Sequence, residues 1–266
     1  VAGVDWLGRL SLLGGAESET WRRKSDTGGS AHGFVLAEGL GVIPLTSQIG
    51  LQLSGDFQVS FDGGKKFGAQ IGPIFDFGMG KAGLFLTNQF RAYFNSDSER
   101  QRQFYLLWLT PAVAFYDVIP NTNIDIWWSN QLSRHVTLNG SENDPRRQYS
   151  PTSSLRAAIN FFPGGMPFGN GNTELTLGVQ VNGLSGADKH WAWSGAGPVV
   201  GVAVMPWQNV ELQVVKFTMD NRNRYRVTTG LQLYFDKTNP TLIQLRRKYL
   251  EPTNLPNIVG THWNRS

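Results

Sequence analysis

The 266-residue sequence contains no cysteine and only four histidines. The first absence excludes a disulfide framework, a thiol nucleophile and every thiolate metal site. His32, His135, His190 and His262 are dispersed one by one, without an HExxH pattern or a close histidine–carboxylate pair. GxSxG, Walker A and GxGxxG segments are missing as well. Charge is scarce, with Asp, Glu, Lys and Arg making up 17% of residues against a usual figure of about 25%. Long apolar runs are also lacking: no stretch approaches the roughly eighteen consecutive apolar residues of a membrane helix. A chain of this kind that crosses a membrane must do so as a closed β-barrel, because lipid satisfies no open backbone edge.

What the sequence does have is glycine, aromatic residues and alternation. There are 31 glycines, and Phe, Trp and Tyr make up 12% of the chain. In "IGLQLSGDFQVSFDGG", Ile49 to Gly64, Leu51, Leu53, Phe57, Val59 and Phe61 share one parity, while Gln52, Ser54, Asp56, Gln58, Ser60 and Asp62 share the other. Side chains alternate across a strand, so the segment is a strand with one apolar and one polar face. It is long enough to cross a bilayer at a tilt, which takes about nine to eleven residues. The pattern recurs through Phe67–Phe77, Leu84–Phe94, Leu175–Val181 and Tyr225–Phe235. Breaks at Gly, Pro, Asn and charge clusters divide the chain into about twelve strands, at 4–18, 30–43, 48–62, 65–78, 81–95, 101–117, 122–136, 149–162, 172–184, 190–205, 209–219 and 223–236. The segment 101–117 is apolar at both parities, and its Pro111 is awkward inside a ladder.

The connections alternate in character. "VIPLTSQIGLQL", "VIPNTNIDIWW" and "VMPWQNVELQVV" are variants of one tight turn, "FFPGGMPFGNGNTELTL" is a looser fourth and Gly78–Gly80 a fifth. The connections between them are mostly longer and more charged. Short turns at one end, longer polar loops at the other and an even strand number are the signature of an outer-membrane barrel.

On these strands, the turns at Pro44, Pro120 and Pro206 and the closing "GLQLYFD" at 230–236, residues 1–236 resemble a bacterial outer-membrane β-barrel protein. The resemblance implies an all-β, up-and-down antiparallel transmembrane barrel of about twelve strands, porin-like, in contact with outer-membrane lipid and with both termini periplasmic. A start at Val1 without Met fits a processed, secreted chain. Trp6, Trp21, Trp108, Trp127, Trp128, Trp191, Trp193 and Trp207 fall mostly near strand ends, as in an aromatic girdle. Leu51, Leu53, Phe57, Val59 and Phe61 would face lipid. Gln52, Asp56, Gln58, Lys66, Gln70, Asp76, Gln89, Arg91, Asp125, Gln131, Arg156, Glu174, Gln180, Glu211, Gln213, Arg226 and Gln232 would line the lumen. These carry both charge signs and form no basic ladder of the kind that selects anions, so a narrow or blocked lumen is expected.

Such barrels usually stop at the terminal aromatic residue, whereas here residues 237–266 continue as a periplasmic tail. Thr241 to Leu250 reads as a short helix stopped before Pro252. Leu242, Leu245, Arg246, Arg247 and Tyr249 are its candidate contact residues, toward an envelope protein subunit, into the barrel as a plug, or onto the barrel's own rim. No catalytic group, metal site or cofactor is expected. Ser133 beside His135 is the one local nucleophile–base pair, and it lacks the wider motif of outer-membrane phospholipases. Asp97, Glu99, Glu142 and Asp144 read as solvated loop residues, and the basic residues near turns form no nucleic-acid footprint. The functional expectation is a channel for small solutes. The alternatives are a non-conducting barrel that anchors or seals an envelope assembly through its tail, and a soluble β-sandwich or barrel with polar-out alternation.

Overall fold

A strand that is apolar on one side and polar on the other needs a place for each face, and a closed sheet supplies both. A computed structural model describes residues 3–23, 26–61, 64–93, 102–138, 152–165, 168–185, 191–219 and 225–251. It contains twelve strands: β1 (Leu7–Arg23), β2 (Asp26–Pro44), β3 (Ile49–Ser60), β4 (Lys65–Asp76), β5 (Gly80–Tyr93), β6 (Arg102–Tyr116), β7 (Thr122–Leu138), β8 (Thr152–Phe161), β9 (Thr173–Ser185), β10 (Trp191–Trp207), β11 (Val210–Met219) and β12 (Tyr225–Phe235). Each pairs antiparallel with its sequence neighbour, and β1 pairs with β12, from Gly8 opposite Phe235 to Glu17 opposite Arg226, so the barrel closes. The soluble sandwich is thereby ruled out as an architecture.

The outer face carries exposed Leu10, Leu12, Phe57, Phe67, Ile71, Leu84, Leu86, Ile159, Leu177 and Leu231, spread over seven strands. So extensive an apolar surface suits lipid and would be an aggregation hazard in water. On β3 the alternation is direct, with Phe57 48% exposed beside Gln58 at 2%.

At one end of the barrel β1 and β2 extend to Arg23 and Asp26 through the long loop expected at 19–29. The connections 45–48, 77–79, 117–121, 162–172 and 208–209, four of them short and 162–172 eleven residues long, lie at the other end, which also holds the start of β1 and the end of β12. Their chemistry explains their tightness. Gly78 adopts φ +87°, and Asp117, Asn121 and Asn209 are also left-handed, a conformation that Gly, Asn and Asp tolerate best. Asp76 accepts from the Gly78 N–H at 2.8 Å and pairs with Lys81 at 2.5 Å, which pins the three-residue turn at 77–79.

The doubly apolar segment 101–117 is β6, and its inward positions Leu106, Trp108, Ala112 and Ala114 are buried inside the barrel. Two expected girdle residues therefore move: Trp108 and Trp127 are 1% and 3% exposed on the inner face, while Trp6, Trp128 and Trp207 stand outside. The side chains of Trp21, Trp191 and Trp193 lie outside the described residues.

Candidate functional site

Because the barrel is closed, polar side chains that are buried have only the lumen to occupy. Gln52, Gln58, Lys66, Gln70, Gln89, Gln131, Glu174, Gln180, Glu211, Gln213, Arg226 and Gln232 are all buried, and Asp56, Asp76, Asp125 and Arg156 are half-buried. The Arg91 side chain lies outside the described residues, as do those of Ser133 and His135 and all of Asp97, Glu99, Glu142 and Asp144. The inner groups are interlinked across strands. Gln58 donates to Glu17 at 2.7 Å and accepts from Arg226 at 2.8 Å. Gln70 donates to Thr87 at 3.0 Å, Gln213 to Thr228 at 2.6 Å and Gln232 to Glu211 at 3.0 Å. Such pairing is what a desolvated polar interior requires.

The turn end of the lumen is filled by the chain's own tail. After β12, Asp236 accepts hydrogen bonds from the N–H and hydroxyl of Thr238, and the chain enters a helix, α1 (Leu242–Arg246), whose start is held by Gln244 accepting from the Thr241 N–H at 2.8 Å. The helix is shorter than the expected 241–250, because Lys248 is drawn to Asp236 at 2.6 Å and Leu250 into an extended contact with the wall. Leu242, Leu245, Tyr249 and Leu250 are fully buried in one cluster with Leu7, Val42, Ile74, Phe85, Trp127 and Phe162 from the inner wall. Burying each of the large tail side chains is worth about 1.5–3 kcal/mol.

Polar contacts fix the register of this insertion. Arg246 pairs with Glu174 and Glu211, each at 2.7 Å, and donates to the hydroxyls of Tyr234 and Tyr249. Burial alone would lower the Arg246 pKa, but Glu174 and Glu211 outweigh it and hold the guanidinium well above its ordinary value. Arg247 reaches Asp117 at 2.7 Å and Asn123 at 3.2 Å. Glu251, the last described residue, meets Arg9 at 3.1 Å and Lys216 at 3.7 Å. Burial pushes the Glu251 carboxyl up, yet Arg9, Lys216 and Arg246 more than compensate and keep it well below the usual carboxylate range.

The five tail residues expected to meet a partner are thus engaged within the chain itself. Leu242, Leu245 and Tyr249 present no free surface, Arg246 is held by four barrel or tail groups, and Arg247 is tied to a turn and to the wall. Residues 252–266 lie outside the described residues.

Several interior charges escaped the sequence reading, and each had a physical reason to. On β11, a bulge between Gln213 and Lys216 inserts one extra residue, so strict parity from Gln213 would point only Val215 and Phe217 inward, whereas Lys216 and Thr218 also line the lumen cavities. Arg9, Glu17 and Glu38 sit on β1 and β2, where glycines and small residues blur the alternation. Beside the tip of the tail two adjoining cavities remain, of about 40 and 30 Å³, sharing Arg156, Gln213, Lys216 and Glu251 in their linings. Each has room for a few waters only.

No protein-family profile and no curated protein matches this sequence. Solved structures do match. The translocator domain of autotransporter NalP from Neisseria meningitidis superposes with a TM-score of 0.57 at 8% identity, over 86% of this chain and 88% of that one. An outer membrane channel from Pseudomonas putida F1 superposes with a TM-score of 0.55 at 11% identity, over 88% of this chain and 97% of that one. The chain has the fold of the bacterial outer-membrane β-barrels, and at these identities the likeness is one of architecture.

Proposed function

We propose that this chain is an outer-membrane channel for small solutes whose lumen is closed at the turn end by its own residues 237–251. The observation that carries this reading is the division of labour inside the barrel. The wall presents a ring of amides and paired charges, including Gln58, Gln70, Gln89, Gln180 and Gln213, which suit water and polar solutes, and the apolar seal at the turn end is completed by tail residues. A barrel of twelve strands is wide enough to be either open or filled, and here the filling comes largely from a segment attached to the wall at one end. The structural likeness to a Pseudomonas putida outer membrane channel fits the reading. In this reading the short turns and the start of β1 face the periplasm, as they do throughout the class, and transport requires no bond chemistry.

Liposome swelling tests it. Vesicles carrying the full chain, given uncharged solutes of rising size, should admit only the smallest, and slowly; a chain ended after Asp236 should admit larger ones and faster. Equal impermeability of both would identify a sealed barrel.

A further inference from the structure

We propose that Arg9, Arg156 and Lys216 form a binding site in the lumen for a small carboxylate solute, and that the chain's own Glu251 occupies it as a stand-in. The inference rests on the channel reading and gives it a solute class.

The three cations come from different strands, β1, β8 and β11, and surround Glu251: Arg9 and Lys216 by ion pair, Arg156 across the cavities it lines with Glu251. Arg9 Nη1 donates to Glu251 Oε2 at 3.1 Å, while its Nη2 is given to Glu38. Lys216 has Glu251, at 3.7 Å, as its one carboxylate within ion-pair distance among the described residues. Arg156 has no ion pair or hydrogen bond among the described residues; its Nε is buried without a partner, and its guanidinium lies over the Trp127 ring at 5.1 Å. Arg156 and Lys216 line both cavities beside Glu251, and Arg9 reaches the same carboxylate by its ion pair. The other carboxylates in the region are already committed, Glu38 to Arg9, Glu174 and Glu211 to Arg246, and Asp125 to the Asn160 amide.

Buried cations require a counter-ion, because an unpaired charge in a desolvated interior is strongly penalised. When Glu251 alone is displaced or removed, with Arg246 still seated on Glu174 and Glu211, Arg9 and Lys216 lose the carboxylate they share, and a solute anion that can accept from a guanidinium and an ammonium together replaces it. A carboxylate does so in the same geometry as Glu251, with the arginines offering forked donors. The rings of Trp127 and Tyr249 beside the cavity leave an apolar wall for the solute's carbon chain.

Chemical rescue in the full chain tests this. Glu251→Ala removes the γ-methylene and its carboxylate, and propionate supplies both with one methyl group to spare. Calorimetric titration of the refolded variant, its barrel checked by heat-modifiable gel migration, should show propionate binding at least tenfold tighter than to the unsubstituted chain. Propionamide should not bind, and adding Lys216→Met or Arg156→Met should abolish or weaken binding. Propionate binding no tighter than propionamide in folded Glu251→Ala would overturn the proposal, as would binding indifferent to both cation substitutions. Propionate flux through liposomes separates the two readings. Binding without flux in any variant leaves the site and removes the channel; flux of uncharged solutes without propionate binding leaves the channel and removes the site.

Discussion

The Gln52 carboxamide holds Leu250 by both polar groups of its backbone, Oε1 accepting from the Leu250 N–H at 2.9 Å and Nε2 donating to the Leu250 carbonyl at 2.6 Å. A side chain on β3 thereby imitates a neighbouring strand for a residue 198 positions further along the chain. Gln52→Ala leaves two buried backbone groups unmatched and should weaken tail docking by about 1–3 kcal/mol while the wall stays intact. Hydrogen exchange of the segment 241–251 should accelerate about tenfold or more, with exchange in β3 and β4 unchanged.

The tail tip also depends on the absence of a side chain. A Cβ built at Gly83 would come within 2.7 Å of Leu250 Cδ1 and 2.8 Å of the Phe85 ring. Both neighbours are side-chain ends that can shift, so Gly83→Val should displace Leu250 and leave the barrel folded. Purified Gly83→Val should keep heat-modifiable migration and show faster proteolysis after Arg246 to Lys248.

Acid should loosen the tail only at the extreme. The Glu251 carboxyl is held below its ordinary range by Arg9 and Lys216 against the opposing effect of burial. A group with a depressed folded pKa contributes its full stabilisation above the unfolded value, about 4.3 for glutamate, and loses it as pH falls through the folded value. Asp236, bound by Lys248 and Thr238, is shifted in the same direction. Channel-open probability should therefore be flat from neutral pH down to about 5 and rise below about 4, and Glu251→Gln should start from a higher opening probability with a shallower rise.

Lipid contact on β3 can be tested by a charge on the outer face. Phe57→Arg, three residues before the end of β3, should cost up to about 2–4 kcal/mol of barrel stability, the figure for a cation near the bilayer midplane, whereas Phe57→Leu should be mild. Urea unfolding in lipid vesicles measures both. Inward substitutions are not a neutral control here, because Gln58 bridges Glu17 and Arg226, and Gln58→Arg would set a second cation against Arg226.

The strand number was legible because alternation with period two and turn residues are local signals; the order of short and long connections was legible only in part, since β1 and β2 extend to Arg23 and Asp26 through the loop expected at 19–29 and the connection 162–172 is eleven residues long. The inner face was legible only where alternation continued unbroken. The bulge at Val214 moved Lys216 inward, and the inward parity of β6 and β7 took Trp108 and Trp127 out of the expected girdle. The fate of the tail depends on contacts such as Gln52 with Leu250 and Arg9 with Glu251, whose partners lie about two hundred positions or more apart. No periodicity encodes them. The absence of a basic ladder in sequence was likewise a statement about neighbours along strands, while Arg9 and Lys216 both pair with Glu251 and Arg156 lines the cavities beside it.

The most direct measurement of a tail-closed channel is single-channel conductance in a planar bilayer, comparing the full chain with one ended after Asp236. The account predicts a full chain that is mostly silent with brief openings and a shortened chain with steady conductance. Silence from both would contradict it and leave a sealed scaffold, and equal, steady conductance from both would show that the tail closes nothing.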